Sequence, residues 1–72
     1  MKIKYDSLGD VLYLEFKDCT VTTQRISEDV AVDYDADGQV AGIEILSASE
    51  LAFGSKGKLS IDFENLLAKQ AT

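Results

Sequence analysis

The chain has 72 residues, thirteen acids against seven bases for a net charge of −6, no histidine, no proline and one cysteine. Those numbers exclude an intrachain disulfide, and with no histidine beside a lone thiol they argue against a structural zinc site. They argue equally against nucleic acid, because phosphate binding needs clustered Lys and Arg and the bases here are scattered.

The pattern of residues predicts an α+β fold. A small antiparallel β-sheet of four to five strands, built from two similar hairpins, is expected over 1–46, with a short C-terminal helical segment over 47–72, all in one domain. Strands are expected near 2–5 (KIKY), 11–16 (VLYLEF), 21–26 (VTTQRI), 30–34 (VAVDY) and 39–46 (QVAGIEIL), each rich in β-branched or aromatic residues. In the first, Ile3 and Tyr5 face one way and Lys2 and Lys4 the other. In the second, Leu12, Leu14 and Phe16 form one face while Val11 and Tyr13 make the other apolar too. In the fourth, Val30, Val32 and Tyr34 are expected to point in and Ala31 and Asp33 out, the alternation of a sheet with one solvated face. Val40 and Ile43 are out of phase for a regular strand, and Gly42 between them marks a β-bulge that restores the phase. Cys19 reads as a small buried hydrophobe. Beyond Leu46, residues 47–53 resemble a helical turn capped by Ser47 or Ser49. Gly54-Ser55-Lys56-Gly57 is a break, Leu59, Ile61 and Phe63 alternate briefly, and a final helix capped by Asp62 is expected to about residue 70.

Residues 33–44, DYDADGQVAGIE, match a twelve-residue calcium loop, with Asp33, Asp35 and Asp37 at alternate positions, Gly38 next and Glu44 last. An internal repeat supplies another explanation. At an offset of 29, Tyr5, Asp6, Gly9, Val11 and Glu15 recur as Tyr34, Asp35, Gly38, Val40 and Glu44. Both copies read strand, Tyr-Asp-x-x-Gly, strand, with Asp bonding its own backbone and Gly taking the left-handed position of a type I turn with a G1 bulge. The first copy has Lys4 in place of Asp33 and Leu8 in place of Asp37, so the shared element is a hairpin and not a ligand set. A calcium loop also needs flanking helices, and residues 24–32 read as turn and strand. Asp33, Asp35, Asp37 and Glu44 are therefore expected to form an acidic hairpin, with a calcium-binding domain as the alternative. No other motif carries chemistry. There is no His for proton transfer, no G-x-S-x-G elbow and no phosphate loop. Tyr5 and Tyr34 are read as core residues with hydroxyls at the rim. The chain reads as a non-enzyme with no catalytic, cofactor-binding or metal residues.

The run Lys2-Ile3-Lys4-Tyr5-Asp6 followed by Asp10-Val11-Leu12-Tyr13-Leu14, and later Val32-Asp33-Tyr34-Asp35, Gly38, Val40 and Gly42-Ile43-Glu44-Ile45-Leu46, resembles the YuzE-like family of small bacterial proteins, domain of unknown function 2283. The resemblance covers roughly residues 1–50. It implies a compact, sheet-rich fold in a bacterial cytoplasmic setting, without an assigned activity or functional residues to carry over. Its members' neighbourhood with small toxin-like proteins implies an antitoxin-like role. A chain this short buries only about 60% of its unfolded surface, so a partner is the remaining source of stability. The expectation is a protein-interaction module, a homodimer that also takes a basic protein partner. The N-terminus lacks the apolar core of a signal peptide and no run reaches membrane-spanning length, so a cytoplasmic location with no membrane partner is expected.

Overall fold

A computed structural model describes residues 1–53 and 57–64. Five strands, β1 (Lys2–Asp6), β2 (Val11–Glu15), β3 (Thr22–Arg25), β4 (Val30–Tyr34) and β5 (Val40–Ile45), precede one short helix, α1 (Ala48–Leu51). They form a single sheet in the order β1-β2-β5-β4-β3, and every neighbouring pair is antiparallel. The α+β class and the hairpin construction follow the expectation, with strand ends shifted by a residue or two. The final helix expected from Asp62 falls largely on residues 65–70, outside the described residues; residues 61–64 are not helical.

The two hairpins, β1–β2 and β4–β5, meet through β2 and β5, where Tyr13 faces Glu44, Leu14 faces Ile43 and Glu15 faces Gly42. The offset of 29 maps Tyr13 onto Gly42, Leu14 onto Ile43 and Glu15 onto Glu44. It therefore exchanges the first and third of these pairs and returns the middle one to itself. A pseudo-twofold axis perpendicular to the sheet passes through Leu14 and Ile43, and the sequence repeat is a symmetry of the sheet.

Register assigns every strand residue to a face. Ile3, Tyr5, Leu12, Leu14, Ile43, Ile45, Val30, Val32 and Tyr34 share the apolar face, while Lys2, Lys4, Tyr13, Glu15, Glu44, Gly42, Asp33 and Thr23 share the polar one. The fourth strand corrects the expected burial. Its alternation is as read, but the deeply buried residues are Ala31 and Asp33, 7% and 4% exposed, whereas Val30, Val32 and Tyr34 are half-buried. Among the described residues the apolar face is only partly covered, and no large side chain is fully buried.

The expected bulge is present. β4 and β5 pair Asp33 with Gly42 but Tyr34 with Val40, which leaves Ala41 as the extra residue. Ala41 is fully buried, and its carbonyl accepts from Phe16 N–H at 2.8 Å and Lys17 N–H at 3.1 Å. Two local expectations fail. Cys19 is exposed, because it lies in the irregular link between β2 and β3. Ser47 precedes α1 with a left-handed φ of 52° and makes no side-chain cap, because the helix start is held from outside by Asp10.

Candidate functional site

Three places collect polar side chains: the tip of the second hairpin, the loop of the first, and the polar face between them. At the tip, Asp35 Oδ1 accepts from the N–H groups of Asp37 and Gln39, both at 2.9 Å. Asp35 N–H donates to Gln39 O at 2.8 Å, Gly38 N–H donates to Asp35 O at 3.0 Å, and Gly38 has a φ of 79°. This is the type I turn with a G1 bulge that the residues predict. The other carboxylate oxygen of Asp35 takes Lys17 Nζ at 2.6 Å. That bond to Lys17, with the turn N–H groups, holds the Asp35 carboxyl below its usual range.

The four acids of the calcium pattern part company here. Strands flank the segment on both sides. Asp33 and Glu44 occupy the polar face of the sheet, Asp35 is engaged by its own turn and by Lys17, and Asp37 is exposed at the tip. Among the described residues no group of three or more His, Cys, Asp or Glu side chains converges as a metal site would require.

The first hairpin departs from its repeat. Asp6 Oδ1 accepts from Leu8 N–H at 3.0 Å, the expected Asp-turn bond. The left-handed residue, however, is Asp10 with φ 56°, not Gly9. The reason lies in what Asp10 holds. Its Oδ1 accepts from the Tyr5 hydroxyl at 2.7 Å and Ser49 N–H at 2.9 Å, and its Oδ2 from the Ser49 hydroxyl at 2.6 Å. Its carbonyl accepts from Ala48 N–H at 3.0 Å. One residue thus ties the loop, β1 and the start of α1 together, and these donors, Ser49 before Tyr5, lower its carboxyl below the usual range. Nothing in the local pattern marks Asp10 for this task; its partners on α1, Ala48 and Ser49, are 38 and 39 residues away. The Tyr5 hydroxyl is at the rim as expected, though the residue is 37% exposed and not part of the core.

The polar face carries a cluster that sequence reasoning missed. Tyr13 lies across Gly42, and its hydroxyl donates to Asp33 Oδ2 at 2.7 Å, while the Thr23 hydroxyl donates to Asp33 Oδ1. Gly42 is what lets the ring lie flat: a Cβ there would stand 2.5 Å from the Tyr13 hydroxyl oxygen and 3.0 Å from the Leu14 carbonyl. The hydrogen bond to Asp33, with burial and the charges of Asp33, Glu15 and Glu44, pushes the Tyr13 phenol up to about 12. Burial, then the Asp33 charge and a hydrogen bond to Asp33, raises the Glu44 carboxyl. Beyond Tyr13, Lys4 Nζ is 5.9 Å from its ring centroid and 3.6 Å from Glu15 Oε2, with Lys2 at 3.9 Å from the same oxygen. The structure therefore brings Asp33 and Glu44 together and leaves Asp35 and Asp37 apart from them. A signal existed: at the offset of 29, the large Tyr13 is answered by Gly42, an asymmetry that only packing across the axis requires.

Two carboxyls close together on one face are an arrangement that acid–base chemistry can use. Chemistry also needs a concavity to hold a substrate, and among the described residues no pocket opens. Asp33 accepts one hydroxyl on each oxygen, and the cluster closes over the polar face as a plug.

An antiparallel sheet made of two symmetry-related hairpins, closed by one short helix and a polar plug, defines the class of small α+β domain to which this chain belongs. The family model described as "Protein of unknown function (DUF2283)" matches residues 2–49, and the chain is a member of that family. No curated protein and no solved structure matches it. The match ends within α1 and spans the whole sheet with both Asp10 and Ser49. Among the described residues no helix is long and apolar enough to cross a membrane.

Proposed function

We propose that this chain is a non-catalytic protein-interaction module that works as a homodimer through the apolar face of its sheet. One observation carries the reading. The apolar residues at the middle of that face, Leu14, Val32 and Ile43, are only half-buried, and Val40 and Phe16 at its margin are 44% and 46% exposed. A sheet face of this kind is stable when covered, and a 72-residue chain has little of its own with which to cover it. The finer reading, in which a basic protein is the partner and the role is antitoxin-like, is supported by the net charge of −6 alone.

Light scattering at micromolar concentration tests the reading. The expected mass is twice that of the 7.8 kDa chain, and Val40→Asp combined with Phe16→Asp halves it while the far-UV circular dichroism of the sheet persists. A wild-type chain that stays monomeric and inert at high micromolar concentration overturns the homodimer.

A further inference from the structure

The axis that relates the two hairpins also relates their outer strands. β4 carries β3 on its outer edge, where Ala31, Val32, Asp33 and Tyr34 pair with Arg25, Gln24, Thr23 and Thr22. Subtracting 29 gives the equivalent edge, Lys2–Tyr5 of β1, which pairs with no further strand among the described residues. An open edge is a template for an added strand. Chemistry restricts what fits. Ile3 and Tyr5 lie on the apolar face and Lys2 and Lys4 on the polar one, with lysine side chains 67% and 53% exposed. A second β1 is a poor partner, because twofold pairing keeps like faces together and sets lysine against lysine. The fitting strand alternates apolar residues with acids.

Ile61-Asp62-Phe63-Glu64 is such a strand. Laid antiparallel to β1, as β3 is to β4, one register sets Ile61 opposite Tyr5, Asp62 opposite Lys4, Phe63 opposite Ile3 and Glu64 opposite Lys2. All four pairs are complementary, apolar with apolar and acid with base. A shift of two residues puts Ser60 against Lys4 and loses one of the ion pairs. Among the described residues 60–64 pair with no strand, and Ile61 and Phe63 are 41% and 57% exposed.

We infer that residues 61–64 of one copy add as a strand to the β1 edge of a second copy, the exchange being reciprocal. The segment's starting point favours a second copy over the same chain. Phe53 packs at a tilt against Tyr5 with ring centroids 5.1 Å apart, and Leu59 is bridged to Phe53. The chain therefore leaves from above the apolar face and not from the plane of its own edge. A copy packed on that face lies about 10 Å away; Leu59 already stands above the face, and the step through Ser60 to Ile61 adds about 7 Å of extended reach toward that copy. This inference rests on the homodimer proposed above and names how its two copies engage.

Charge reversal tests it, with light scattering as the readout and far-UV circular dichroism as the check on folding. Lys2→Glu with Lys4→Glu, and separately Asp62→Lys with Glu64→Lys, are each expected to weaken dimerisation by about tenfold or more, since like charges then face each other at both edges. Mixing the two variants in equal amounts places acid against base at both edges and is expected to restore the dimer. A wild-type dimer that neither reversal weakens overturns the edge exchange and leaves self-association standing. Weakened variants that do not recover on mixing also overturn it. A monomeric wild type whose stability falls with either reversal shows the segment closing its own edge, and it overturns both the exchange and the homodimer.

Discussion

In the first hairpin the chain turns through residues 7–10 between Asp6 and Val11, and its strands stay in register. In the second it turns more tightly, through residues 36–38 between Asp35 and Gln39, and the residue saved at the turn reappears as the bulge at Ala41. The offset of 29 survives this difference, because the bulge restores Gly42 to its place opposite Asp33, as Tyr13 is opposite Lys4. The two hairpins have also diverged in what their equivalent positions do. Lys4, with its side chain 53% exposed, reaches Glu15 from the solvent side, whereas Asp33 is buried under Tyr13 and Thr23. One loop binds its neighbour through Asp10; the other satisfies itself through Asp35. A duplicated unit keeps its register under strong constraint, while the side chains at matched positions are free to specialise.

The largest expected effect comes from the axis itself. Gly42→Ala drives a methyl into the Tyr13 hydroxyl and the Leu14 carbonyl, with an expected cost of about 2 kcal/mol from overpacking a close contact. Asp33→Ala strips the acceptor from two hydroxyls and is expected to cost about 1–3 kcal/mol. At the equivalent position, Lys4→Ala is expected to cost less, about 0.5 kcal/mol, because the lysine is solvent-exposed and Lys2 still faces Glu15. Urea denaturation measures all three; equal costs at Asp33 and Lys4 would mean that the polar plug is not part of the fold's stability.

The turns give the next comparison. Gly38→Ala places a Cβ at a φ of 79° and is expected to lower stability by about 1–2 kcal/mol. Gly9→Ala, at the matched position, meets Asp6 Oδ2 at 3.1 Å and has no left-handed conformation to strain, so its expected cost is a few tenths of a kcal/mol. A reversal of that order, read from thermal unfolding, would mean that the first loop closes on Gly9 and not on Asp10.

The smallest effects are in pH dependence. Glu44 is raised in the folded state, so its contribution is fully present below its ordinary value and is lost as pH rises through the raised folded one. Asp35 is lowered, so its contribution is present above the ordinary aspartate range and is lost as pH falls through the depressed folded value. Tyr13, raised to about 12, keeps its contribution up to about pH 10, the ordinary tyrosine value, and loses it between there and its folded value. Glu44→Gln is expected to flatten the slope in weak acid, Asp35→Asn the slope in strong acid, and Tyr13→Phe the alkaline limb. Chemical denaturation across pH checks each, and a slope unchanged by its own substitution removes that group from the balance.

Much of this was legible before any coordinates. The strands, the repeat, the type I turn at Asp35–Gln39 and the bulge beside Gly42 all follow from patterns within a few residues of one another. The hub at Asp10 was not legible, nor was the plug at Asp33, since both depend on which strands become neighbours. Asp33 reads as a solvent-facing residue on β4 until β2 is brought alongside β5 and Tyr13 reaches across a glycine. Cys19 misled for a related reason: a thiol's usual burial says nothing about a link that the sheet leaves outside.

The sequence by itself determined the local geometry: where strands begin, which residues share a face, how the second hairpin turns, and that one unit was used twice. Those properties depend on backbone propensity and on side-chain alternation, which act over a few residues. Only the tertiary structure decided that the repeat is a symmetry axis through Leu14 and Ile43, that Asp33 is buried while Lys4 is not, and that among the described residues no strand covers the edge of β1. Each of these depends on strand order. Burial and hydrogen bonding between residues far apart in the chain exist only once distant strands pair.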